Sequence, residues 1–146
     1  MTRIYLAGPL FCRSELAYNN SLKDELDEYG YELVLPQENS KGVNSERMLK
    51  DLEYRDAATM MIFQADIDML DSCDALLINL DGRVPDEGAC VELGYACAKG
   101  KPCFAIKTDV RTAEYGTDNL MIGGAVGLRV ATTVEELVTF LKDAGL

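Results

Sequence analysis

A chain of 146 residues, 48% hydrophobic and 27% charged, is long enough to bury a core without staples and reads as a single domain over residues 1–146. Its formal net charge of −11 argues against a nucleic-acid polymer as partner, because phosphate-backbone binding draws on clustered Lys and Arg. With no histidine and five cysteines, none of them in a C-x-x-C pair, a His-based catalytic base, a zinc site and a disulfide framework are all poor readings; no metal or cofactor is expected, and Cys12, Cys73, Cys90, Cys97 and Cys103 are expected to be reduced and mostly buried.

The opening M-T-R-I-Y-L-A-G-P-L is too short in its apolar part for a signal peptide, and no apolar run reaches the ~18 residues of a membrane span, so a cytoplasmic, membrane-free protein is expected. The first strand is expected over Arg3–Leu6. A helix follows from Ser14, as N-cap, to Tyr29, and Gly30 stops it. The second strand is expected over Glu32–Leu35. The helical region Ser45–Leu70 is long enough to be broken or bent, with Met60, Met61 and Phe63 read as core. Strand Ala75–Leu80 precedes a helix that starts after Asp86 and ends at Gly100. Strands Pro102–Ile106 and Leu128–Ala131 flank a Gly- and charge-rich stretch, Lys107–Gly127, that shows no periodicity and is expected to be a functional loop or a contact with a partner subunit. Thr133 and Glu136 have capping-box spacing and open the last helix.

Short apolar runs alternating with amphipathic stretches predict an α/β fold: a flavodoxin-like doubly wound sheet of five mainly parallel strands with helices on both faces. Ligands of such a sheet collect beyond the carboxyl ends of the strands, at the switch point between the first and third. The loop Ala7-Gly8-Pro9 and the loop from Asp81 to Asp86 should therefore face one crevice.

The stretch V-P-D-E-G-A-C-V-E-L-G-Y-A, from Val84 to Ala96, concentrates acids at that crevice. Asp86 can cap the third helix, and Glu92 follows within two turns. A cap and a solvated acid would satisfy the pattern, but Glu92 lies among small and apolar residues, and Gly94 inside a helix costs about 1 kcal/mol unless close packing needs it. A half-buried carboxylate needs a partner, and the Tyr5 hydroxyl at the end of the first strand is the natural donor. Asp66 divides evenly between structural and functional readings; Asp68 and Asp71 read as surface charges and Asp74 as a strand start or cap. Gly123-Gly-Ala-Val-Gly127 lacks the strand and helix of a dinucleotide fingerprint, and no phosphate loop is present.

Taken together, Ile4-Tyr-Leu-Ala-Gly-Pro-Leu-Phe11, Leu35-Pro-Gln37, Ala65-Asp66, Asp86-Glu-Gly-Ala-Cys-Val-Glu-Leu-Gly-Tyr-Ala96, Gly100-Lys-Pro102 and Asn119-Leu-Met121 resemble the nucleoside 2-deoxyribosyltransferases, in order and over nearly the whole chain. The resemblance implies an enzyme that moves 2-deoxyribose between nucleobases through a covalent glycosyl-enzyme intermediate, with deoxynucleosides and free bases as its small-molecule partners. By position, Glu92 would be the nucleophile and Tyr5 would orient it. Asp66 and Asp86 would handle the base and its proton. Gln37, or Asn39 in its place, would lie near the base, and Gly8 would be among the substrate-binding residues. Asn119 and Met121 match residues that reach a neighbouring subunit's site, which implies a homo-oligomer. Where some members end in an aromatic residue whose carboxylate enters the site, this chain ends Asp143-Ala-Gly-Leu146.

Retaining glycosyl transfer needs one carboxylate as nucleophile and a second group to protonate the leaving base, so a chain without histidine can perform it. Two rivals remain. An N-glycosidase would keep the nucleophile and use water as acceptor. A signalling receiver is recommended by Asp81 after the third strand, yet it would need an acidic pair where Ala7-Gly8 stands.

Overall fold

The structure is a computed structural model that describes residues 1–39 and 42–146. Five strands, β1 (Thr2–Ala7), β2 (Tyr31–Val34), β3 (Ala75–Asn79), β4 (Cys103–Ile106) and β5 (Val130–Ala131), form one sheet in the order β2-β1-β3-β4-β5. Every pairing is parallel: Ile4 lies opposite Leu33 on one side of β1, and Tyr5 lies opposite Leu76 on the other. The helices are α1 (Arg13–Glu28), α2 (Ser45–Lys50), α3 (Leu52–Asp71), α4 (Glu87–Ala98), α5 (Leu120–Ala125) and α6 (Val134–Asp143).

The chain steps from β1 to β2 in one direction and from there to β3, β4 and β5 in the other. Right-handed crossovers then send the connecting helices to opposite faces. The alternation of side chains along β1 shows the result. Ile4 and Leu6 pack with Leu22 and Leu26 of α1 and Leu137 and Leu141 of α6. Tyr5 and Ala7 pack on the other face with Leu70 of α3, Ala89 and Leu93 of α4, and Ile122 of α5. β3, at the centre, is buried along its whole length, as a strand covered on both faces must be. The arrangement is the flavodoxin-like α/β fold.

Several boundaries differ from the sequence reading for local reasons. The N-cap of α1 lies two residues earlier than expected: it is Cys12, not Ser14, and the Glu15 carboxylate reaches back to accept from the Phe11 and Cys12 amides at 2.7 and 3.0 Å. The expected break in Ser45–Leu70 falls at Asp51, which closes α2 and caps α3 by accepting from the Tyr54 amide at 3.0 Å. The stretch Lys107–Gly127 is not loop throughout. Its second half contains α5, capped by Asn119, whose Oδ1 accepts from the Met121 amide at 2.9 Å; six residues containing Gly123-Gly124 are too short and too glycine-rich to show a helical period. β5 begins at Val130 rather than Leu128, because Leu128 adopts a left-handed φ of 61° and is exposed.

Burial corrects three expectations. Met60, Met61 and Phe63 are 65%, 49% and 49% exposed rather than core, since α3 turns only Ala58 and Leu70 fully inward. Phe104 is buried. All five cysteines are free, but only Cys73 and Cys103 are buried, and Cys12 and Cys97 are exposed. Among the described residues Gly94 meets nothing within 4 Å of where a Cβ would stand, so none of them demands a glycine there. No described helix is long and apolar enough to cross a membrane.

Candidate active site

At the carboxyl ends of β1 and β3 the two loops meet closely. A Cβ on Gly8 would stand 2.9 Å from the Asn79 Cβ, so only glycine lets the loop after β1 pass the end of β3. Asn79, 2% exposed, turns its Oδ1 to the Asp81 amide at 2.9 Å and starts the loop after β3. The Asp81 carboxylate accepts from the Thr108 amide and hydroxyl, both at 2.6 Å, and from the Asp109 amide at 2.8 Å. It is thereby a tie between the loops after β3 and β4.

Beside this junction opens a pocket of about 590 Å³, lined by Gly8, Gln37, Asn39, Asp66, Asp86 and Glu92, with Phe11 and Ile62 among its apolar walls. Three elements supply the polar groups. Glu92 stands on the second turn of α4, where Gly88 and Ala89, also lining the pocket, leave the carboxylate room. Asp86 is the N-cap of the same helix, its Oδ2 accepting from the Ala89 amide at 2.8 Å. A Cβ on Gly88 would stand 3.2 Å from that oxygen. Asp66 comes from α3, half-buried like Asp86 and Glu92. Gln37 sits in the 3-10 turn Pro36–Glu38 after β2.

Beneath the pocket, Tyr5 is fully buried and its hydroxyl donates to Glu92 Oε1 at 2.7 Å. Burial pushes the Tyr5 phenol far above its ordinary value, and the negative charges of Glu92 and Asp66 add to the effect. The hydroxyl therefore stays protonated and remains a donor. A neutral donor aimed at one carboxylate oxygen fixes that side chain's direction and favours its ionised form. Chemically, the pocket offers an oriented carboxylate with two further carboxyl groups around it, which can deliver charge to an electrophilic carbon and a proton to a departing atom. Among the described residues, no group of three or more His, Cys, Asp or Glu could hold a metal.

Asn119 and Met121 are not brought to this pocket within one chain. They line a second, largely apolar groove of about 710 Å³ between α4 and α5, together with Cys90, Leu93, Gly94 and Cys97. Met121 is 82% exposed. Leu146 also lies elsewhere, its carbonyl accepting from the Tyr31 hydroxyl at 3.2 Å where β2 begins. One polar residue behind the pocket was missed in the sequence: Asn19 of α1, which donates to Gln37. Its spacing from Leu22 and Leu26 along the core-facing side of the helix was the available signal.

Comparison with known proteins agrees with this architecture. Residues 4–136 match the family model for nucleoside 2-deoxyribosyltransferase. An uncharacterised protein of Schizosaccharomyces pombe is 34% identical over 113 residues, 74% of this chain; the chain spans about half of that relative, 51% of its length. Among solved structures, a conserved protein from Enterococcus faecalis is 31% identical, with a TM-score of 0.77 and 99% of each chain covered. A 2-deoxyribosyltransferase from Bacillus psychrosaccharolyticus shares the fold at 23% identity and a TM-score of 0.67, with 86% of this chain and 82% of that one covered. A CMP N-glycosidase from Clostridium botulinum shares it at 19% identity and a TM-score of 0.55, with 99% and 100% covered.

Proposed function

The chain belongs to the nucleoside 2-deoxyribosyltransferase family, and from that premise we propose that it transfers 2-deoxyribose from a deoxynucleoside to a free nucleobase by double displacement at Glu92. The observation that carries this reading is the Tyr5–Glu92 hydrogen bond at 2.7 Å, set in one pocket with Asp66 and Asp86.

In the first half-reaction a Glu92 oxygen attacks the anomeric carbon as the bond from that carbon to the base nitrogen breaks. The electron pair of that bond leaves with the base, and Asp86 or Asp66, in its carboxylic acid form, supplies the proton the base takes up. The sugar remains as an ester of Glu92. A second base then attacks the same carbon, gives its N–H proton to the waiting carboxylate, and releases Glu92. The sugar passes through an oxocarbenium-like state twice, and the configuration at the anomeric carbon is retained.

In this reading a neighbouring subunit completes the site. Asn119 and Met121 lie outside their own chain's pocket, and Met121 projects into solvent, where it can enter a second copy. The five free thiols fit a reducing, cytoplasmic setting. The hydrolytic alternative keeps the nucleophile and lets water take the sugar; the fold shared with the CMP N-glycosidase accommodates it equally.

Incubation with a deoxynucleoside, with and without a second free base, separates the two. Exchanged nucleoside is expected, and free deoxyribose alone would replace transferase by hydrolase. Glu92→Ala should abolish exchange while leaving the melting curve intact, and near-normal turnover in that variant would contradict the mechanism.

A further inference from the structure

Asn19 occupies a position where an apolar residue would serve. It lies on the stripe of α1 that carries Leu22 and Leu26 into the core, and it is 2% exposed. Its Nδ2 donates both hydrogens, to the Pro9 carbonyl at 3.1 Å and to Gln37 Oε1 at 2.8 Å, while its Oδ1 accepts from no described residue. A buried amide with an unsatisfied oxygen is costly, so its retention points to what the two donated bonds accomplish.

Both acceptors belong to loops that wall the active-site pocket. The segment containing Pro9 contributes Gly8, Leu10 and Phe11, and the turn after β2 contributes Gln37. The direction of each amide follows from main-chain carbonyls, which can only accept. Pro9 requires the nitrogen of Asn19. The Leu16 carbonyl, 3.3 Å from Gln37 Nε2, requires the nitrogen of Gln37, whose other hydrogen goes to Asn20 Oδ1 at 2.9 Å. Gln37 has then used both of its donors on α1. A lone pair on Oε1 is what it can still offer a ligand.

We propose that Asn19 is a positioning residue for nucleobase recognition, locking Gln37 as a hydrogen-bond acceptor for an exocyclic N–H of the base while tethering the loop at Pro9. The inference rests on the base-binding reading given above but not on the fate of the sugar. Aminated bases are accordingly the preferred class.

Calorimetric titration tests it. Free adenine and cytosine carry exocyclic N–H donors; unsubstituted purine and 2-pyrimidinone lack them. The wild-type protein should bind at least one aminated base about tenfold tighter than its unaminated counterpart. In Asn19→Leu that preference should fall below threefold, as it should in Gln37→Leu, and the double variant should lose no more than either single one. Asn19→Ser, too short to reach Gln37, serves in place of Asn19→Leu if the latter fails to fold by circular dichroism. Equal binding of the two classes by the wild type, an unchanged preference in the Asn19 variants, or additive losses in the double variant would each overturn the proposal. A protein that shows this preference but releases only free sugar from deoxynucleosides upholds Asn19 and sinks the transferase.

Discussion

Replacing Tyr5 with Phe removes one oxygen from the interior and little else, because the ring keeps its place among Ala89, Leu93 and Ala96. The lost contact is a 2.7 Å donation from a fully buried hydroxyl to a half-buried carboxylate. Hydrogen bonds to charged groups contribute about 1.5–3 kcal/mol net. If that energy serves to aim Glu92, its loss corresponds to a rate decrease of about 10- to 150-fold, at about 1.4 kcal/mol per factor of ten. Under the proposed double displacement Glu92 would be nucleophile in the first half-reaction and leaving group in the second, so both should slow by a similar factor. Rapid-quench measurement of base release in a single turnover reads the first, and steady-state exchange reads their combination. Thermal unfolding should show a loss of no more than about 3 kcal/mol. A Tyr5→Phe enzyme that melts like the wild type and releases base within threefold of its rate would refute the claim that this bond directs the nucleophile.

Asp86→Asn should slow exchange by about 100-fold or more while leaving the melting temperature within a few degrees, because Asn caps a helix as well as Asp does; a large stability loss would show that the residue matters chiefly as a cap. Gly8→Ala forces a Cβ to 2.9 Å from that of Asn79 and should cost about 1–3 kcal/mol by chemical denaturation, a wild-type midpoint being the adverse result. Burial and neighbouring acids raise the Tyr5 phenol, and burial together with Asp81 and Glu25 pushes Tyr18 up to about 12. Folding thus favours the protonated phenols, a stabilisation fully present below pH 10, the ordinary value, and lost as pH rises through the folded values. Ultraviolet titration should find two tyrosines silent at pH 11, and ionisation of all seven by that pH in a still-folded protein would contradict it.

Much of this site is visible in the sequence because each part obeys a local rule. Tyr5 lies within an apolar run, so alternation decides which face it meets, and Glu92 lies among small and apolar residues, of which Ala89 and Leu93 are buried. Asp86 stands where a helix needs a cap. What stayed hidden depends on contacts between distant segments or on surfaces that only another molecule could cover. Asn19 looks like half of a solvated Asn19-Asn20 pair until Pro9 and Gln37 are folded against it. Met60, Met61 and Phe63 carry the same apolar signal whether they fill a core or face outward. The helix α5 escaped because Gly123 and Gly124 dilute a pattern only six residues long, and Gly94 signals a close approach that none of the described residues makes.

Glu92 and Gly94 are two residues apart, about 200° around the axis of α4, so one looks into the acidic pocket and the other into the apolar groove. The helix is a party wall about 10 Å thick between two compartments that no substitution can treat as wholly separate. Bulk added at Cys90 or Cys97 to alter the groove leans on the backbone that aims Glu92. Anyone redesigning this protein for new bases or new assembly states is therefore editing a single twelve-residue rod from both sides at once.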